Sequence, residues 1–279
     1  MLNVGKGVQK QKVHVFLQGR GMFRPPYRRD LGIWLIGFAM TTSAMLFFPL
    51  GVYLSDSPSA ISSMTGIGLI GLLLYAVFVI GERTSLMDAV GIVLVIFGTM
   101  ALGYLGSVRE LPTRQFDDGT LVWAISIALS ALAVICLVAW RWWRSIHGVS
   151  FGMAAGLLIG TGIFLTDCAQ VRAGESFLTQ LQTTPYLYVA FVFAIAATVV
   201  TQLGFLRGRA LEVVPGVNSA TILSPLVFEI FVYRSMPVAV DLFFIGAILA
   251  GVFLLSTGTA ARVSEDTVAS SSEPEANLV

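Results

Sequence analysis

The sequence predicts an all-α polytopic membrane protein, and two observations carry that prediction. Of the 279 residues, 56% are hydrophobic and only 12% are charged, whereas soluble domains carry about 25% charged residues. The apolar residues also gather into eight segments, most of them close to the roughly 20 residues that a helix needs to cross a bilayer. About eight transmembrane helices are therefore expected.

The segments, named A to H in chain order, set the predicted organisation. A basic N-terminal segment, 1–30, precedes three helices of a first repeat at 31–106, and a linking helix lies within 107–147. Four helices of a second repeat occupy 148–258, and 259–279 is predicted to be a disordered, solvated tail. The eight segments are 31–54, 59–81, 86–106, 120–140, 148–167, 185–206, 211–233 and 238–258.

The N-terminal segment is basic and is broken by Pro25 and Pro26, so it is not expected to span a membrane. Two arrangements are open for it: a helix in the membrane interface or a solvated basic loop. Counted over alternate loops, 13 Lys and Arg residues lie on the side of the N-terminus and 4 on the other side. The positive-inside rule therefore predicts cytoplasmic N- and C-termini, in the cell (inner) membrane.

The layout of the segments predicts an inverted repeat. At both 81–103 and 233–258 a short polar turn follows a long helix and precedes a glycine-rich helix. Segments A, B and C then correspond to F, G and H, in opposite orientations. Segment E has no counterpart before A, because only 3–12 stands where that helix would end. A missing or misassigned chain start is preferred; a protein that works with an incomplete first repeat is the alternative.

With this layout in place, the sequence resembles the drug/metabolite transporter superfamily in its EamA-like and NIPA-like branches. The resemblance rests on Gly81-Glu82-Arg83-Thr84-Ser85 before a helix with Gly91, on Thr201-Gln202 followed by Arg209-Ala210-Leu211 and Pro215, and on the NVGKGVQK start, which is similar to the end of the family's first helix. The chain departs from the family at Arg234, in place of a second Gly-Glu turn, and at Asp167, where related chains often have lysine. The resemblance implies that a metabolite, a drug-like molecule or, in the NIPA-like branch, Mg²⁺ moves through a helix bundle.

Segment G is the candidate solute path. Pro215 and Pro225 each remove a backbone donor and favour a broken or kinked helix, which is tolerated at membrane depth where protein or water covers it. Asn218, Ile222 and Glu229 share one helical face with Pro225. A proline-kinked packing helix and a helix that lines a path are both open, as is simple interhelical hydrogen bonding. The predicted solute contacts are Asn218, Gln202, Glu229, Ser219, Thr221 and Asp167.

Two other groups have mainly structural interpretations. Gly152, Gly156 and Gly160 form a ridge that favours close helix packing, with a sliding surface between the repeats as a functional variant. Glu82 and Asp88 flank the turn between B and C, where helix capping and a pair with Arg83 are favoured over a role in solute binding.

Composition also limits the function classes. The net charge of +1 gives no case for nucleic acid, and no motif predicts an enzyme, a metal site or a cofactor. Cys136 and Cys168 are expected to be small buried hydrophobes. The expected partners are a small-molecule solute and the lipid bilayer, with a homodimer left open.

Three functional hypotheses follow. The first is a small-solute transporter that works by alternating access. The second is a magnesium permease, which needs Asp167, Glu229 and Glu82 to face a common cavity because Mg²⁺ takes oxygen ligands. The third is a non-transporting membrane scaffold or degenerate transporter.

Overall fold

The computed structural model describes residues 2–55, 68–82, 84–108, 115–142, 147–174, 177–234 and 238–271. Within these ranges the secondary structure is helical, and no strand occurs. The α-helices are α1 (Leu2–Lys12), α2 (Pro25–Ser55), α3 (Gly68–Tyr75), α4 (Leu86–Val108), α5 (Asp118–Trp142), α6 (His147–Ala173), α7 (Phe177–Thr183), α8 (Tyr186–Arg207), α9 (Ala210–Val232) and α10 (Ala239–Ser271). A 3-10 segment, Val13–Phe23, joins α1 to α2, and a π-helical turn, Ala76–Ile80, extends α3.

Within the described ranges, four stretches are long and apolar enough to cross a bilayer, namely Leu86–Leu105, Gly148–Ala173, Tyr186–Arg207 and Ala210–Val232. Large apolar side chains on these helices are exposed, among them Phe97, Phe191 and Phe231. Exposure of this kind is costly in water and costs nothing in lipid. The architecture is that of a helical membrane protein, as the composition predicts. The count of eight spans stays a prediction.

Three predicted boundaries are wrong by more than five residues, and the first is the end of segment E, since α6 runs to Ala173 rather than to 167. α2 begins at Pro25 rather than at 31, because a proline fits the first turn of a helix, where its missing N–H is not needed. α10 runs on to Ser271, so the predicted disorder is wrong for 259–271; no proline or glycine follows Gly258 in that range to end the helix. Residues 272–279 and the first part of segment B, 59–67, lie outside the described residues.

α9 is the central helix of the fold. Its residues from Ala210 to Ala220 are all buried, and it contacts α1, α3, α4, α5, α6, α8 and α10. Pro215 and Pro225 lie inside α9 without ending it, so a broken helix is wrong, whereas a proline-kinked packing helix stays a prediction. Neighbouring helices cover the backbone that the prolines leave without helical partners, as in other membrane helices.

Small residues let helices approach closely at three contacts. A Cβ atom on Gly152 or Gly156 of α6 would overlap the carbonyl oxygen of Val213 or Val217 in α9, and one on Gly160 would overlap a side chain of α9. Two further contacts are reciprocal. A Cβ on Gly91 of α4 would lie 2.8 Å from the Gly251 oxygen in α10, and one on Gly251 would lie 2.6 Å from the Gly91 oxygen. Gly5 of α1 and Gly37 of α2 face each other in the same way, at 2.8 Å in each direction.

α1 is the largest departure from expectation. It packs against α2, α3 and α9, and its polar side chains Asn3, Lys6 and Gln9 are 1%, 6% and 3% exposed. For residues 2–12 both predicted arrangements, the interfacial helix and the solvated loop, are therefore wrong. The glycines of α1 admit neighbouring helices, and its polar residues find polar partners on them.

Candidate functional site

The candidate site is a set of polar side chains between α1, α2, α8 and α9. α1 contributes Lys6 and Gln9, which are three residues apart and therefore lie on one face of the helix. The other members project from three helices that pack around this face. We call the set the central polar cluster, and its members are Lys6, Gln9, Trp34, Thr41, Gln202 and Asn218.

Lys6 and Asn218 form the deepest contact of the cluster. The Lys6 ammonium donates to the Asn218 Oδ1 atom over 3.4 Å, and both residues are only 6% exposed. Among the described residues, Lys6 forms no ion pair with a carboxylate. The Asn218 Nδ2 group is also buried, and it has no hydrogen-bond partner among the described residues. A buried cation and a buried amide donor therefore lie side by side.

The rest of the cluster is a chain of hydrogen bonds with a defined direction. The Trp34 indole N–H donates to Gln202 Oε1 at 3.1 Å, and Gln202 Nε2 donates to Gln9 Oε1 at 2.6 Å. Gln9 Nε2 then donates to Thr41 Oγ1 at 2.9 Å, and that hydroxyl donates to the Gly37 carbonyl oxygen at 2.9 Å. Because each bond fixes the orientation of the next amide, the chain holds Gln9 and Gln202 in place.

A cluster of charged side chains lies at the N-terminal end of α9. The Glu82 carboxylate accepts from the backbone N–H groups of Ala210 at 2.8 Å and Leu211 at 3.3 Å. Glu82 thereby caps a helix from a distant part of the chain, where a negative charge is favoured. The Lys10 ammonium donates to the carbonyl oxygens of Phe205 and Gly208 at the end of α8.

Arg209 connects the acids of this end. Its guanidinium lies 3.9 Å from Glu82, 3.6 Å from Asp88 and 3.8 Å from Glu212. Asp88 also accepts from the Ser85 backbone N–H at 2.9 Å, as in the predicted capping role. The predicted partner Arg83 lies outside the described residues, and the arginine that the structure brings to Asp88 comes from the α8–α9 turn.

Two of the predicted solute contacts lie at the opposite end of α9. The Tyr233 hydroxyl donates to the Asp167 carboxylate at 2.9 Å. Burial, followed by the Asp167 charge, raises the pKa of the Tyr233 phenol well above its ordinary value, so the hydroxyl stays a donor. Glu229 is half-buried and follows Asn218 by eleven residues, about 16 Å along the helix axis. Asp167 and Glu229 are therefore not part of the central polar cluster, although Glu229 shares a helical face with Asn218.

The structure distributes the other predicted contacts as follows. Asn218 and Gln202 are brought into one cluster. Ser219 is fully buried, and its hydroxyl has no hydrogen-bond partner among the described residues. Thr221 faces α6, where its hydroxyl lies 3.4 Å from the Gly156 carbonyl oxygen. Only Asn218 and Gln202 of the predicted set therefore belong to the cluster.

Sequence reasoning missed Lys6, Gln9, Trp34 and Thr41. For α1 a signal was present, because Asn3, Lys6 and Gln9 recur every three residues and are accompanied by Gly5 and Gly7. That pattern places polar groups on one face of a helix that small residues allow to pack closely. For Trp34 and Thr41 the sequence held no such pattern.

Comparison with known protein families, curated proteins and solved structures finds no match to this chain. The site is therefore interpreted from its own chemistry. It offers ammonium, amide, indole and hydroxyl groups. Within the described ranges, no group of three or more His, Cys, Asp or Glu side chains could hold a metal ion.

Proposed function

We propose that the protein is a transporter that moves a small solute across the membrane through a site built on the central polar cluster. The observation that carries this proposal is the buried contact of Lys6 with Asn218, which lies in a helix that is long and apolar enough to cross a membrane. Polar and ionisable groups at such positions are expensive and mark substrate or ion paths in membrane proteins.

The packing of the helices supports an inverted repeat. α1 packs on α2 and α3, and α6 packs on α8 and α9. α4 packs on α10 through the reciprocal contact of Gly91 and Gly251. In this proposal α1 to α4 correspond, in order, to α6, α8, α9 and α10, the spans number eight, and both termini are cytoplasmic in the cell inner membrane. Transporters with inverted repeats bind solute where the repeats meet, and α1 meets α8 and α9 at the cluster.

The two ends of α9 supply contacts that alternating access would break in turn. At one end Arg209 connects Glu82, Asp88 and Glu212. At the other end Tyr233 binds Asp167. The resemblance to the drug/metabolite transporter superfamily fits this scheme.

Counterflow in proteoliposomes tests the proposal. The full chain would be reconstituted and assayed with labelled amino acids, organic acids, nucleosides and amphipathic cations. We expect uptake above that of protein-free vesicles for at least one class, and a fall of about tenfold or more in Gln202→Leu and Asn218→Leu, because each removes a polar contact in a desolvated site. Gln182→Leu, at an exposed position on α7, is the matched control and should leave flux unchanged.

Two results would count against this proposal. Unchanged flux in both cluster variants would remove Asn218 and Gln202 from the path. Uptake equal to that of protein-free vesicles for every class would favour the non-transporting scaffold.

The magnesium hypothesis needs three carboxylates at one cavity, and two of them, Glu82 and Asp167, lie at opposite ends of α9. Glu82 binds the first residues of α9, and Asp167 binds Tyr233, just beyond its last residue. The 23 residues of α9 place these two ends about 34 Å apart. Glu82 and Asp167 therefore do not share a cavity, and a magnesium site on this set of acids is not supported.

A further inference from the structure

We infer that the solute carries an anionic oxygen group, a carboxylate or a phosphoryl group, which binds at Lys6 and the Nδ2 group of Asn218. This inference rests on the proposed function and names the solute class for the same site. It is carried by the charge balance of the cluster and by the Asn218 Nδ2 group, which is buried without a hydrogen-bond partner among the described residues.

Charge balance singles out Lys6. Two cations nearer the surface are paired with acids: Lys12 lies 2.7 Å from Asp30, and Arg172 lies 2.5 Å from Asp118. Lys6 is more buried than either, yet among the described residues its ammonium has only the 3.4 Å contact with the Asn218 oxygen. A buried charge without a counterion is strongly unfavourable, and an anionic solute would supply the counterion.

The Asn218 amide explains where the anion would bind. Its oxygen accepts from Lys6, so its Nδ2 group lies next to the ammonium contact and carries two N–H donors with no partner in the described chain. Ammonium and amide hydrogens together form a donor-only pair. A carboxylate or phosphoryl oxygen can accept from both, and such charge-assisted hydrogen bonds are about twice as strong as neutral ones.

The remaining members of the cluster are already satisfied. Trp34, Gln202, Gln9 and Thr41 donate and accept among themselves. Their hydrogen bonds brace the cluster, whereas the Asn218 Nδ2 group has no such partner among the described residues. Recognition therefore falls on Lys6 and Asn218, and a cationic solute would meet the uncompensated charge of Lys6.

Matched pairs of compounds test the inference by binding. The purified full chain in detergent would be titrated with benzoate and benzamide, with succinate and succinamide, and with inorganic phosphate, and the thermal midpoint would give the affinity. We expect benzoate and succinate each to bind at least about tenfold more tightly than the matching amide, because an ionic hydrogen bond is being compared with a neutral one. Inorganic phosphate has no neutral match, and we expect it to bind as well.

Three substitutions assign that preference to the site. Lys6→Met should remove it, and Lys6→Arg should keep part of it because the charge is retained. Asn218→Asp should also remove it, and should raise the thermal midpoint, because the new carboxylate gives Lys6 an internal counterion. Lys12→Met removes an equal charge from the surface pair with Asp30. It should change neither the anion preference nor the thermal midpoint appreciably.

A lipid headgroup could present the same phosphate chemistry, so a second arm uses phosphatidylcholine vesicles with and without phosphatidylglycerol. Stabilisation by phosphatidylglycerol that requires Lys6, with no response to the soluble anions, would assign the site to a lipid and overturn the inference. Equal response to anions and amides, or an anion preference that survives Lys6→Met, would overturn it as well.

The counterflow assay separates this inference from the proposed function. Uptake of neutral or cationic solutes that Lys6→Met leaves unchanged would support the proposed transporter and contradict the anion site. Anion binding that depends on Lys6 as expected, but without uptake of any anion, would support the anion site and contradict transport.

Discussion

α9 is packed in two different ways on its two sides, and the contrast separates what holds the bundle together from what the bundle contains. Against α6 the contact is made by glycines, and Gly152 and Gly156 lie directly on the α9 backbone. Against α1 the contact is polar and long, with 3.4 Å between the Lys6 ammonium and the Asn218 oxygen. The first contact leaves no room for an added methyl group, whereas the second leaves a buried donor unused.

The difference predicts how substitutions on each side of α9 affect stability and activity. Close packing of small residues is the main source of helix association in lipid, where no hydrophobic force acts between helices. Buried polar pairs contribute little to stability compared with well-packed apolar residues. The α6–α9 contact should therefore govern stability, and the α1–α9 contact should govern activity.

The largest expected loss of stability is on the glycine side. Gly156→Ala should lower the free energy of unfolding by about 1–3 kcal/mol, because the new methyl group overlaps the Val217 carbonyl and the chain must move. Gly162→Ala on the same helix is the matched control, since its nearest new neighbour would be the Ala190 oxygen at 3.4 Å. Thermal unfolding in detergent would compare them, and equal midpoints would contradict the assigned role of the ridge.

A double substitution tests the polar side. Lys6→Met combined with Asn218→Leu should abolish flux yet leave the free energy of unfolding unchanged or about 1–4 kcal/mol higher, because both buried polar partners are replaced by apolar groups. Each single variant should be less stable than the double, since each leaves one partner stranded. Thermal midpoints and counterflow on all three variants give the measurement. A double variant less stable than Gly156→Ala would show that the polar contact is structural.

The smallest expected effect concerns a hydroxyl beside the cluster. Ser219→Ala should raise the free energy of unfolding by about 1 kcal/mol, because the buried hydroxyl has no partner in the described chain. Thr201→Val is the comparison, since the Thr201 hydroxyl donates to the Ala197 carbonyl at 2.8 Å and its loss should lower stability slightly. Chemical denaturation would rank the two. A fall in flux in Ser219→Ala, without a fall in stability, would return Ser219 to the predicted solute contacts.

Sequence alone predicted the long helices well. Segments F and G, predicted at 185–206 and 211–233, correspond to Tyr186–Arg207 and Ala210–Val232. Continuous apolar stretches of this length can only be satisfied as helices in lipid, so their bounds follow from composition. The two prolines of α9 left a broken and a kinked helix both open, because whether a proline breaks a membrane helix depends on the neighbours that cover it.

The site was less predictable because its partners are far apart in the chain. Asn218 could be chosen as a polar group on an apolar helix, whereas its partner Lys6 lies in a short basic helix that is typical of a membrane surface. Burial of Lys6 depends on α9, which lies more than two hundred residues later, and Gln9 depends likewise on Gln202. Charge and hydropathy report the local chain, so they could not reveal these pairings.

Lys6 and Lys10 lie one helical turn apart on α1, and they bind different helices. Lys10 is fastened to the carbonyl end of α8 while Lys6 reaches into α9. If α1 moved with a departing solute, the hydrogen bond from Lys10 to the Gly208 carbonyl would break at the same time. In the proposed transporter, α1 would therefore couple the interior of the bundle to the turn that joins α8 to α9.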